Sequence, residues 1–445
     1  MPGLDEHPAI GNGSVRTGAD ASASVPAGPA ARRTSFRRPA DRIAVAVIVV
    51  VAALGVVLVG TNSDIGATIS ETGPDQLPPL PMPTALPAAP REAWRAASSA
   101  TPVPVAAGST VVTGDGGEVL GRDPLTGQVR WRYARDLPLC TVSSAWSQAI
   151  AVYQQTETLL PEDDPNRADV CSEVTSLQAN SGERARQRNG DAQVGTQLVS
   201  DGVHVTATGR RLLNTWRSDL VLTMEYGTVP TLVQPDKQPR TDCTFGSVAV
   251  TTGRIGVLER CPIDPGDRLT VYEPTNDDSD EPSVDFSSVV GGRSARVVAL
   301  GDELAAAVRE GPTRLVVFNN DGNQVAEYQL DLPATDLAGD PPGLVVPTSK
   351  GDGLIYWFTG SRTIALSSTD LRPLWTVEDT LGPGTVFAGH LLVPVADGLA
   401  ALDPATGARV AGIPVNRDGY LGPVLMSTIG PVLLEQRGPT LVALR

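Results

Sequence analysis

The feature that most constrains this chain is a hairpin unit that begins at Gly121 and ends at Trp131. Asp123 can accept hydrogen bonds from the free amides of the turn, and Gly127 supplies the positive φ that such a turn requires. Apolar residues at alternate positions then lead into the return strand, which contains Trp131. The unit therefore predicts two antiparallel strands joined by a tight turn.

The same spacing returns elsewhere in the chain, which makes the hairpin a repeat. One copy keeps the turn residues Asp403, Thr406 and Gly407 and has alanine in the tryptophan position. A second, degenerate copy ends at Trp375, and a third around Gly182 keeps the register without a tryptophan. Hairpins that repeat at intervals close to the length of one blade are typical of a β-propeller.

The pattern Ala-x-Asp-x-x-Thr-Gly-x-x-x-Trp, matched here by Asp123, Thr126, Gly127 and Trp131, resembles the tryptophan-docking motif of the pyrroloquinoline-quinone-like (PQQ-like) propeller superfamily. That superfamily contains quinoprotein dehydrogenases and cofactor-free members, such as the propeller lipoprotein of the outer-membrane β-barrel assembly machine. The chain is also similar to single-pass PQQ-like envelope proteins of actinobacteria, a resemblance that brings no known activity. The resemblance covers about residues 91–445 and implies an architecture, not a reaction.

The hairpin units divide residues 91–445 into successive blades, and we predict an all-β propeller. Seven short β-rich runs are predicted as inner strands of these blades. The blades lie near 101–136, 140–191, 195–242, 243–290, 294–332, 340–379 and 382–415, with a remainder at 418–445, and the runs are 111–113, 149–153, 220–224, 248–250, 315–318, 354–357 and 391–395.

The remainder at the C-terminus decides the number of blades. It reads as three strands that end with Leu441 and Ala443, and the segment around Trp94 resembles a fourth strand that has no hairpin of its own. Pairing these two ends would close the ring and remove exposed sheet edges. We therefore predict eight blades, with seven as the alternative.

The N-terminal part predicts a membrane anchor. Residues 1–42 are rich in glycine, alanine, serine and proline and are predicted to be a disordered cytoplasmic tail. Ile43–Gly60 is an uncharged run of 18 residues, long enough for a transmembrane helix. Arginines precede this run closely, which places the tail inside and the rest of the chain outside the cell. A cleaved signal peptide is the alternative.

Residues 61–90 are predicted to be a proline-rich linker, because the part between Pro74 and Pro90 contains seven prolines. Such a composition favours an extended polyproline II spacer. The spacer would lift the propeller away from the membrane, and recognition by an SH3-like domain is the alternative.

The four cysteines give the clearest prediction at the level of single residues. The sequence after Cys140 resembles the sequence after Cys243, and each is followed by a second cysteine, Cys171 or Cys261, just before the next strand. This internal similarity favours the disulfides Cys140–Cys171 and Cys243–Cys261 among the three possible connectivities. A zinc site is the alternative, and the spacing and the scarcity of histidine do not support it.

No catalytic residue, metal ligand or cofactor-binding residue is predicted. The histidines outside the tail, His204 and His390, have no nucleophile motif nearby. The acidic runs 162–164 and 276–281 lack the spacing of an EF-hand loop. Cofactor-using members of the superfamily share adjacent cysteines, a tryptophan platform under the quinone, and a calcium ion, and the nearest cysteines here, Cys243 and Cys261, are 18 positions apart.

These observations predict a non-catalytic, membrane-anchored scaffold outside the cytoplasm that binds an envelope protein or a cell-wall component. The net charge of −15 disfavours a nucleic acid partner. A membrane-tethered PQQ-dependent dehydrogenase is the alternative function. A third hypothesis is a sensor whose cytoplasmic Arg32–Ser35 segment is phosphorylated.

Overall fold

The computed structural model describes residues 39–61, 67–156, 169–230 and 232–445. The chain divides into two compact units, Met1–Ser63 and Asp64–Arg445. In the first unit the structure describes one helix, α1, which spans Pro39–Thr61. The second unit contains strands β1–β33 and two short 3-10 helices at Ala334–Leu337 and Pro342–Leu344.

The strands form eight sheets, which we call blades 1 to 8. In chain order, the first two strands are β1 (Ile69–Glu71) and β2 (Glu92–Ala97). Blade 1 contains β3 (Val105–Ala107), β4 (Thr110–Asp115), β5 (Glu118–Arg122) and β6 (Val129–Ala134). Blade 2 contains β7 (Leu139–Ala145), β8 (Gln148–Thr156), β9 (Asp169–Gln178) and β10 (Arg184–Gln193). Blade 3 contains β11 (Leu198–Ser200), β12 (Val205–Ala207), β13 (Leu212–Trp216) and β14 (Leu222–Gly227).

The remaining blades follow the same plan. Blade 4 contains β15 (Thr244–Thr251), β16 (Arg254–Arg260), β17 (Arg268–Tyr272) and β18 (Val284–Val289). Blade 5 contains β19 (Arg296–Leu300), β20 (Leu304–Arg309), β21 (Arg314–Asn319) and β22 (Gln324–Gln329). Blade 6 contains β23 (Thr348–Gly351), β24 (Leu354–Phe358), β25 (Thr363–Ser367) and β26 (Pro373–Val377). Blade 7 contains β27 (Thr385–Phe387), β28 (His390–Val395), β29 (Gly398–Leu402) and β30 (Arg409–Pro414), and blade 8 contains β31 (Val424–Ile429), β32 (Val432–Arg437), β33 (Thr440–Leu444) and β2.

The eight sheets form a closed β-propeller, which confirms the predicted number of blades. Within each blade neighbouring strands are antiparallel, and in blades 1 to 7 the four strands follow one another in chain order. The first strands of most neighbouring blades contact each other around the axis, including β3 of blade 1 and β31 of blade 8. The first strand of each blade is therefore the innermost one.

The ring closes where the N-terminal strand β2 joins the C-terminal strand β33. Trp94 lies opposite Ala443, and Ala96 lies opposite Leu441. Backbone hydrogen bonds of 2.8 and 2.9 Å between Arg91 and Arg445 extend this pairing to the last residue. Because both ends of the propeller share one sheet, blade 8 needs the two termini together to be complete.

The core consists of eight apolar clusters, one between each pair of neighbouring blades. Strand β20 shows how the sequence builds them. Ala306 and Val308 point towards blade 6, whereas Ala305 and Ala307 point towards blade 4. Since side chains alternate along a strand, a middle strand covered on both sides is mostly apolar, although β32 also buries Glu435 and Gln436.

This alternation corrects the prediction of inner strands. Of the seven apolar runs, only 248–250 lies in a first strand, β15. The others lie in the second strands of blades 1, 2, 6 and 7, in the third strand of blade 5, and at the fourth strand of blade 3. Continuous apolar runs mark strands with a blade on each side, whereas a first strand also borders the central channel.

Antiparallel order gives the propeller two distinct faces. The connections between blades and the turns between second and third strands lie on one face, which we call the upper face; it includes segments 98–104, 194–197, 228–243, 261–267, 330–347 and 415–423. The other turns lie on the opposite, lower face. The predicted docking turns at Asp123 and Asp403 join third and fourth strands and so belong to the lower face.

The predicted proline-rich spacer is not free of the propeller from Ile69 onward. β1 pairs with β6 as a fifth strand on blade 1. Further along, the hydroxyl of Ser109 donates a 3.1 Å hydrogen bond to the carbonyl of Pro78. Leu80 and Leu86 pack against the apolar clusters of blades 8 and 1 and of blades 7 and 8. Apolar residues between the prolines anchor the segment to the lower face. The proline-rich composition alone does not reveal this packing.

Helix α1 begins at Pro39, before the predicted start of the apolar run at Ile43. Proline suits the first turn of a helix because its missing N–H would have no intrahelical partner there. Within the described ranges, no helix has the length and apolar character needed to cross a bilayer. The side chains of residues 56–61 lie outside the described part, as do residues 1–38, so the anchor and the disordered tail stay predictions.

Candidate functional site: the axial cavity and its rim

The main candidate site is a cavity of about 780 Å³ on the propeller axis. Its walls are formed by first strands of blades 3 to 6, by parts of blades 6 and 8, and by connections of the upper face. Most of the side chains that line it are apolar, among them Val199, Val248, Val298, Val346, Leu425 and Met426. A cavity of this size and character is typical of small-molecule sites.

One wall is formed by the long connection between blades 5 and 6, of which we call residues 331–347 the strap. The strap reaches back to blades 3 and 4, where Val345 forms a parallel bridge with Val248 of β15. The hydroxyl of Thr208 donates a 2.6 Å hydrogen bond to the carbonyl of Gly343. Gly343 has a φ of 58°, and a Cβ there would lie 2.2 Å from Cγ of Gln197. Only glycine fits this crossing without displacing its neighbours.

Charged groups fix the strap to the upper face. Asp340 forms ion pairs of 2.9 Å with Arg210 of blade 3 and 2.7 Å with Arg260 of blade 4. Arg296, at the start of β19, donates hydrogen bonds of 2.8 Å to the carbonyls of Asp336 and Gly339. Burial lowers the pKa of Arg296, and the carbonyl oxygens accept hydrogen bonds from its guanidinium without neutralising its charge.

Asp336 completes the attachment on blade 6. Its carboxylate is buried and accepts hydrogen bonds from the hydroxyls of Thr359 and Ser361, the latter at 2.8 Å. The strap is thus held by four successive blades. Because Arg296, Asp336 and Asp340 all bond to other parts of the wall, their role in the structure is to build the cavity, and they form no nucleophile and base pair.

The two lysines of the chain have different surroundings. Lys237 forms a 2.7 Å ion pair with Glu281 on the surface. Lys350, on the first strand of blade 6, lines the cavity, and no ion-pair partner is found for it among the described residues. Solvent in the channel reaches the side chain of Lys350. The surrounding walls nevertheless bury part of it and lower its pKa, whereas the negative charge of Asp302 acts to raise that pKa.

Large aliphatic side chains are exposed on the upper face around and beyond the cavity. They lie on four different connections or turns, and their exposed fractions range from 44% to 87%. They are Val103, Val194, Ile263 and Leu421. Leu232 and Val233 are also exposed, but the amide of Val233 donates a hydrogen bond to Asp280 in a lower-face turn of blade 4, so this part of its connection leaves the upper face. Tyr420, the neighbour of Leu421, lines the cavity, as does Val103, so two of the four stand at its rim.

The predicted docking tryptophans lie between neighbouring blades. Trp94 donates a 2.9 Å hydrogen bond to the carbonyl of Pro124, and its ring covers Gly127, where a Cβ would lie 2.6 Å from the ring. Trp375 makes the equivalent 3.0 Å bond to the carbonyl of Pro404 over Gly407. Each tryptophan therefore docks on the turn of the next blade.

Trp131 follows the same rule in blade 1. Its indole donates a 2.9 Å hydrogen bond to the carbonyl of Ala179, and its ring covers Gly182 in the next blade. Blade 4 uses Phe286, which lies against Gly322 of blade 5 in the corresponding way. The phenylalanine version was missed because the repeat was defined by its tryptophan.

The turn residues of the motif hold the docking glycines in place. Asp123 accepts hydrogen bonds of 2.9 Å from the amides of Leu125 and Thr126. Asp403 accepts from the amide and the hydroxyl of Thr406, at 2.9 and 2.8 Å. These bonds hold the pKa of Asp403 below its usual range. The motif is a structural device of the lower face and lies away from the cavity lining.

The cysteines form the disulfides Cys140–Cys171 in blade 2 and Cys243–Cys261 in blade 4. The second lies beside the buried carboxylate of Glu259. Because both sulfurs are bonded to each other, this group is not available as a pair of metal-binding thiolates.

The other predicted candidates do not meet at the cavity. His204 lies on the lower face, 3.2 Å from Asp201 and 3.0 Å from the hydroxyl of Thr275, and links blades 3 and 4. His390 bonds to the carbonyl of Ala388 in its own turn. The acidic segment 276–281 packs on the 232–238 connection, where Asp280 accepts two backbone amides. Segment 162–164 lies outside the described residues.

A quinone cofactor does not fit the residues that line the cavity. Among the described lining residues there is no tryptophan to act as a platform and no cysteine. Asp336 and Asp340, the carboxylates of the wall, already bond to hydroxyl groups and arginines.

The strap and Lys350 were not predicted as site residues. The strap segment contains four prolines, at 333, 341, 342 and 347, and this was a signal of an irregular connection. Lys350 is one of two lysines in a chain rich in arginine, but rarity alone does not place a side chain in a channel.

The fold and the site define an eight-bladed β-propeller with an axial cavity walled by a long connection. No protein family matches the chain, and no curated protein matches it. Several solved structures are similar to this chain in fold. The computationally designed protein Ika8 is 12% identical, with a TM-score of 0.50, and the match covers 78% of this chain and 96% of that one.

Two natural proteins give similar values. BamB from Moraxella catarrhalis is 11% identical with a TM-score of 0.46, over 80% of this chain and 99% of that chain. Quinohemoprotein alcohol dehydrogenase ADHIIG from Pseudomonas putida HK5 is 10% identical with a TM-score of 0.47, over 80% of this chain and 76% of that chain. At such identities a likeness concerns the fold alone, and we carry over no activity or partner.

Proposed function

We propose that this chain is a non-catalytic scaffold that binds a partner protein of the cell envelope through its upper face. The observation that carries the proposal is the set of four exposed aliphatic side chains on that face, two of them at the rim of an apolar cavity. Exposed apolar groups gathered beside a concave surface are typical of protein interaction sites.

The wall of the cavity supports binding rather than catalysis. Asp336, Asp340 and Arg296 are held by hydrogen bonds and ion pairs within the wall. A general base or nucleophile needs a free pair of reacting groups at hydrogen-bond distance from a substrate. The wall instead offers a rigid, shaped surface.

The location that we propose is outside the cytoplasm, attached to the membrane by one span. The uncharged run Ile43–Gly60 and the arginines before it support the anchor and its orientation. The disulfides Cys140–Cys171 and Cys243–Cys261 support an oxidising compartment for the propeller. An envelope protein, rather than a cell-wall polysaccharide, is the partner that aliphatic contacts favour, because sugars present mainly hydroxyl groups.

Site-specific crosslinking in intact cells tests the partner and the face together. A photoreactive amino acid replaces Val103 or Leu421 in the full chain, and adducts are identified by mass spectrometry. Val203 and Val221, which are 52% and 45% exposed on lower-face turns of blade 3, serve as matched control positions. We expect the same envelope protein in adducts from both upper-face positions and little or none from the controls.

Equal adduct formation from both faces, or no discrete adduct from either upper-face position, would contradict the proposal. A second measurement addresses the dehydrogenase alternative. The purified protein is titrated with pyrroloquinoline quinone and Ca²⁺ while its absorbance is recorded. We expect no saturable uptake, and stoichiometric uptake would overturn the non-catalytic role.

A further inference from the structure

Four charged side chains line the axial cavity among the described residues, two cations and two carboxylates, and three of them are bonded within its wall. Arg296, Asp336 and Asp340 are all engaged within the wall, as described above. Lys350 is the lining cation for which no ion-pair partner is found among the described residues. A cation without an ion-pair partner beside apolar walls attracts an anion, and the water that reaches Lys350 screens part of this attraction.

The position of Lys350 places this charge on the channel itself. β23 is the first strand of blade 6, and its exposure alternates, with Thr348 and Lys350 more exposed than Ser349 and Gly351. Side chains on alternate residues share one face of a strand. Lys350 therefore extends from the face of β23 that borders the channel, near the turn to the lower face.

Burial lowers the pKa of Lys350, against the effect of Asp302. Removal from bulk water is the cause, and a bound anion would reverse part of this loss by favouring the charged ammonium. The lowered pKa therefore agrees with a lysine for which no ion-pair partner is found among the described residues.

The upper end of the channel is crossed by a chain segment. The strap crosses the upper face from blade 5 to blades 3 and 4. On the lower face, Leu80 packs against the turn at Gly430 of blade 8, and Pro78 bonds to the turn at Ser109 of the neighbouring blade 1. The crossing by the strap favours a slender occupant over a folded domain.

We propose that the axial cavity binds an aliphatic carboxylate, with its chain against the apolar walls and its head on Lys350. The apolar lining and the single available cation match the two parts of such a ligand. A peptide segment is less suited, because each of its residues adds polar groups that need partners, and the polar side chains Arg296, Asp336 and Asp340 already have theirs. The inference does not depend on the partner protein proposed for the upper face.

Binding of octanoate to the full-length protein tests this inference. Uptake of radiolabelled octanoate is measured by equilibrium dialysis of the protein in detergent micelles, against a blank of the same micelles. We expect saturable binding of one octanoate per chain. Lys350→Met keeps an apolar side chain of similar length and removes the charge, so we expect about tenfold weaker binding or more.

Three controls separate the charge from general effects. Lys350→Arg retains a cation and should keep most of the affinity. Lys237→Met removes the surface lysine that pairs with Glu281 and should leave binding unchanged. Octan-1-ol, which has the same chain without the charge, should bind weakly, and equally to the wild type and to Lys350→Met.

The possible results are distinct. Absence of saturable octanoate uptake, unchanged affinity in Lys350→Met, or equally tight binding of octanol would each overturn the inference. Displacement of octanoate by a short apolar peptide that binds more tightly, and that also depends on Lys350, would replace the aliphatic carboxylate by a polypeptide occupant. Near-ultraviolet circular dichroism of each variant checks that the fold is retained.

Discussion

Glu225 offers a test of how burial controls the stability of the propeller. It lies on β14 of blade 3, is 8% exposed, and faces the negative charges of Asp191 and Asp280. Burial and these two charges raise the pKa of Glu225 to about 7, against the favourable charge of Arg188. We predict that Glu225→Gln, which keeps the shape and removes the charge, stabilises the protein above neutral pH.

The size of the effect follows from linkage between protonation and folding. The folded pKa is about 7 and the ordinary value is 4.5, so the folded state binds the proton more tightly than the unfolded state. Stability due to this group is complete below pH 4.5 and is lost as the pH rises through 7. The loss amounts to about 3 kcal/mol at pH 8, since a difference of one in pKa corresponds to roughly 1.4 kcal/mol.

The assay is thermal unfolding of wild type and Glu225→Gln followed by circular dichroism at pH 4, 6 and 8. For a unit as long as Asp64–Arg445, the entropy of unfolding is about 0.8 kcal/mol per kelvin. A stabilisation of about 3 kcal/mol therefore raises the Tm at pH 8 by about 4 °C. The two proteins should differ by less than 1 °C at pH 4.

Glu303→Gln is the control, because Glu303 is an exposed residue of a turn and its loss should not produce a pH-dependent difference. The reasoning is refuted if Glu225→Gln lowers the Tm at pH 8, or if its gain is the same at pH 4 and pH 8. In the first case the carboxylate would be stabilising as an ion, and in the second the effect would not arise from protonation.

Three further predictions concern the ring closure, the docking of blade 6 on blade 7 and the disulfide of blade 4. Trp94→Ala removes the ring that covers Gly127, so we expect a loss of about 3–5 kcal/mol, seen as a lower Tm. Gly407→Ala places a methyl group 2.6 Å from the ring of Trp375 at a φ of 69°, and its Tm should fall, whereas Gly419→Ala, with open space, should lose less. The double variant Cys243→Ser/Cys261→Ser frees a loop of 18 residues and should cost about 3 kcal/mol, and this loss should be absent when reduced wild type is the reference.

The eight blades can be predicted from the sequence because a closed ring requires the strands at its two ends to pair with each other. Three C-terminal strands without a fourth, and a tryptophan strand at the other end, leave few other arrangements. The order of strands within a blade was harder to predict from hydrophobicity. Residues 305–308 alternate between two apolar clusters. A second strand is therefore as apolar as a first strand was expected to be.

The cavity could not be predicted from the sequence, because its walls are formed by contacts between segments that are distant in the chain. Asp340 meets Arg210 and Arg260 only because the strap crosses two other blades. Lys350 faces a channel only because eight first strands surround it. Repeats determine each blade and its neighbours, whereas the strap has no counterpart in the repeat and its path is set by long-range contacts. The proline-rich segment before the propeller is a second example, since Leu80 and Leu86 find their partners in the last blades.

The arrangement separates the parts that stabilise the ring from the parts that we propose for binding. The tryptophans dock on turns of the lower face, around Gly127, Gly182 and Gly407, whereas Val103 and Leu421 lie on upper-face connections. An exposed aliphatic side chain contributes little to folding because it stays in water in both states. Replacement of Val103 and Leu421 by serine should therefore leave the Tm nearly unchanged while it removes contacts to a partner, so loss of crosslinking without loss of Tm is the signature that distinguishes a binding face from a weakened ring.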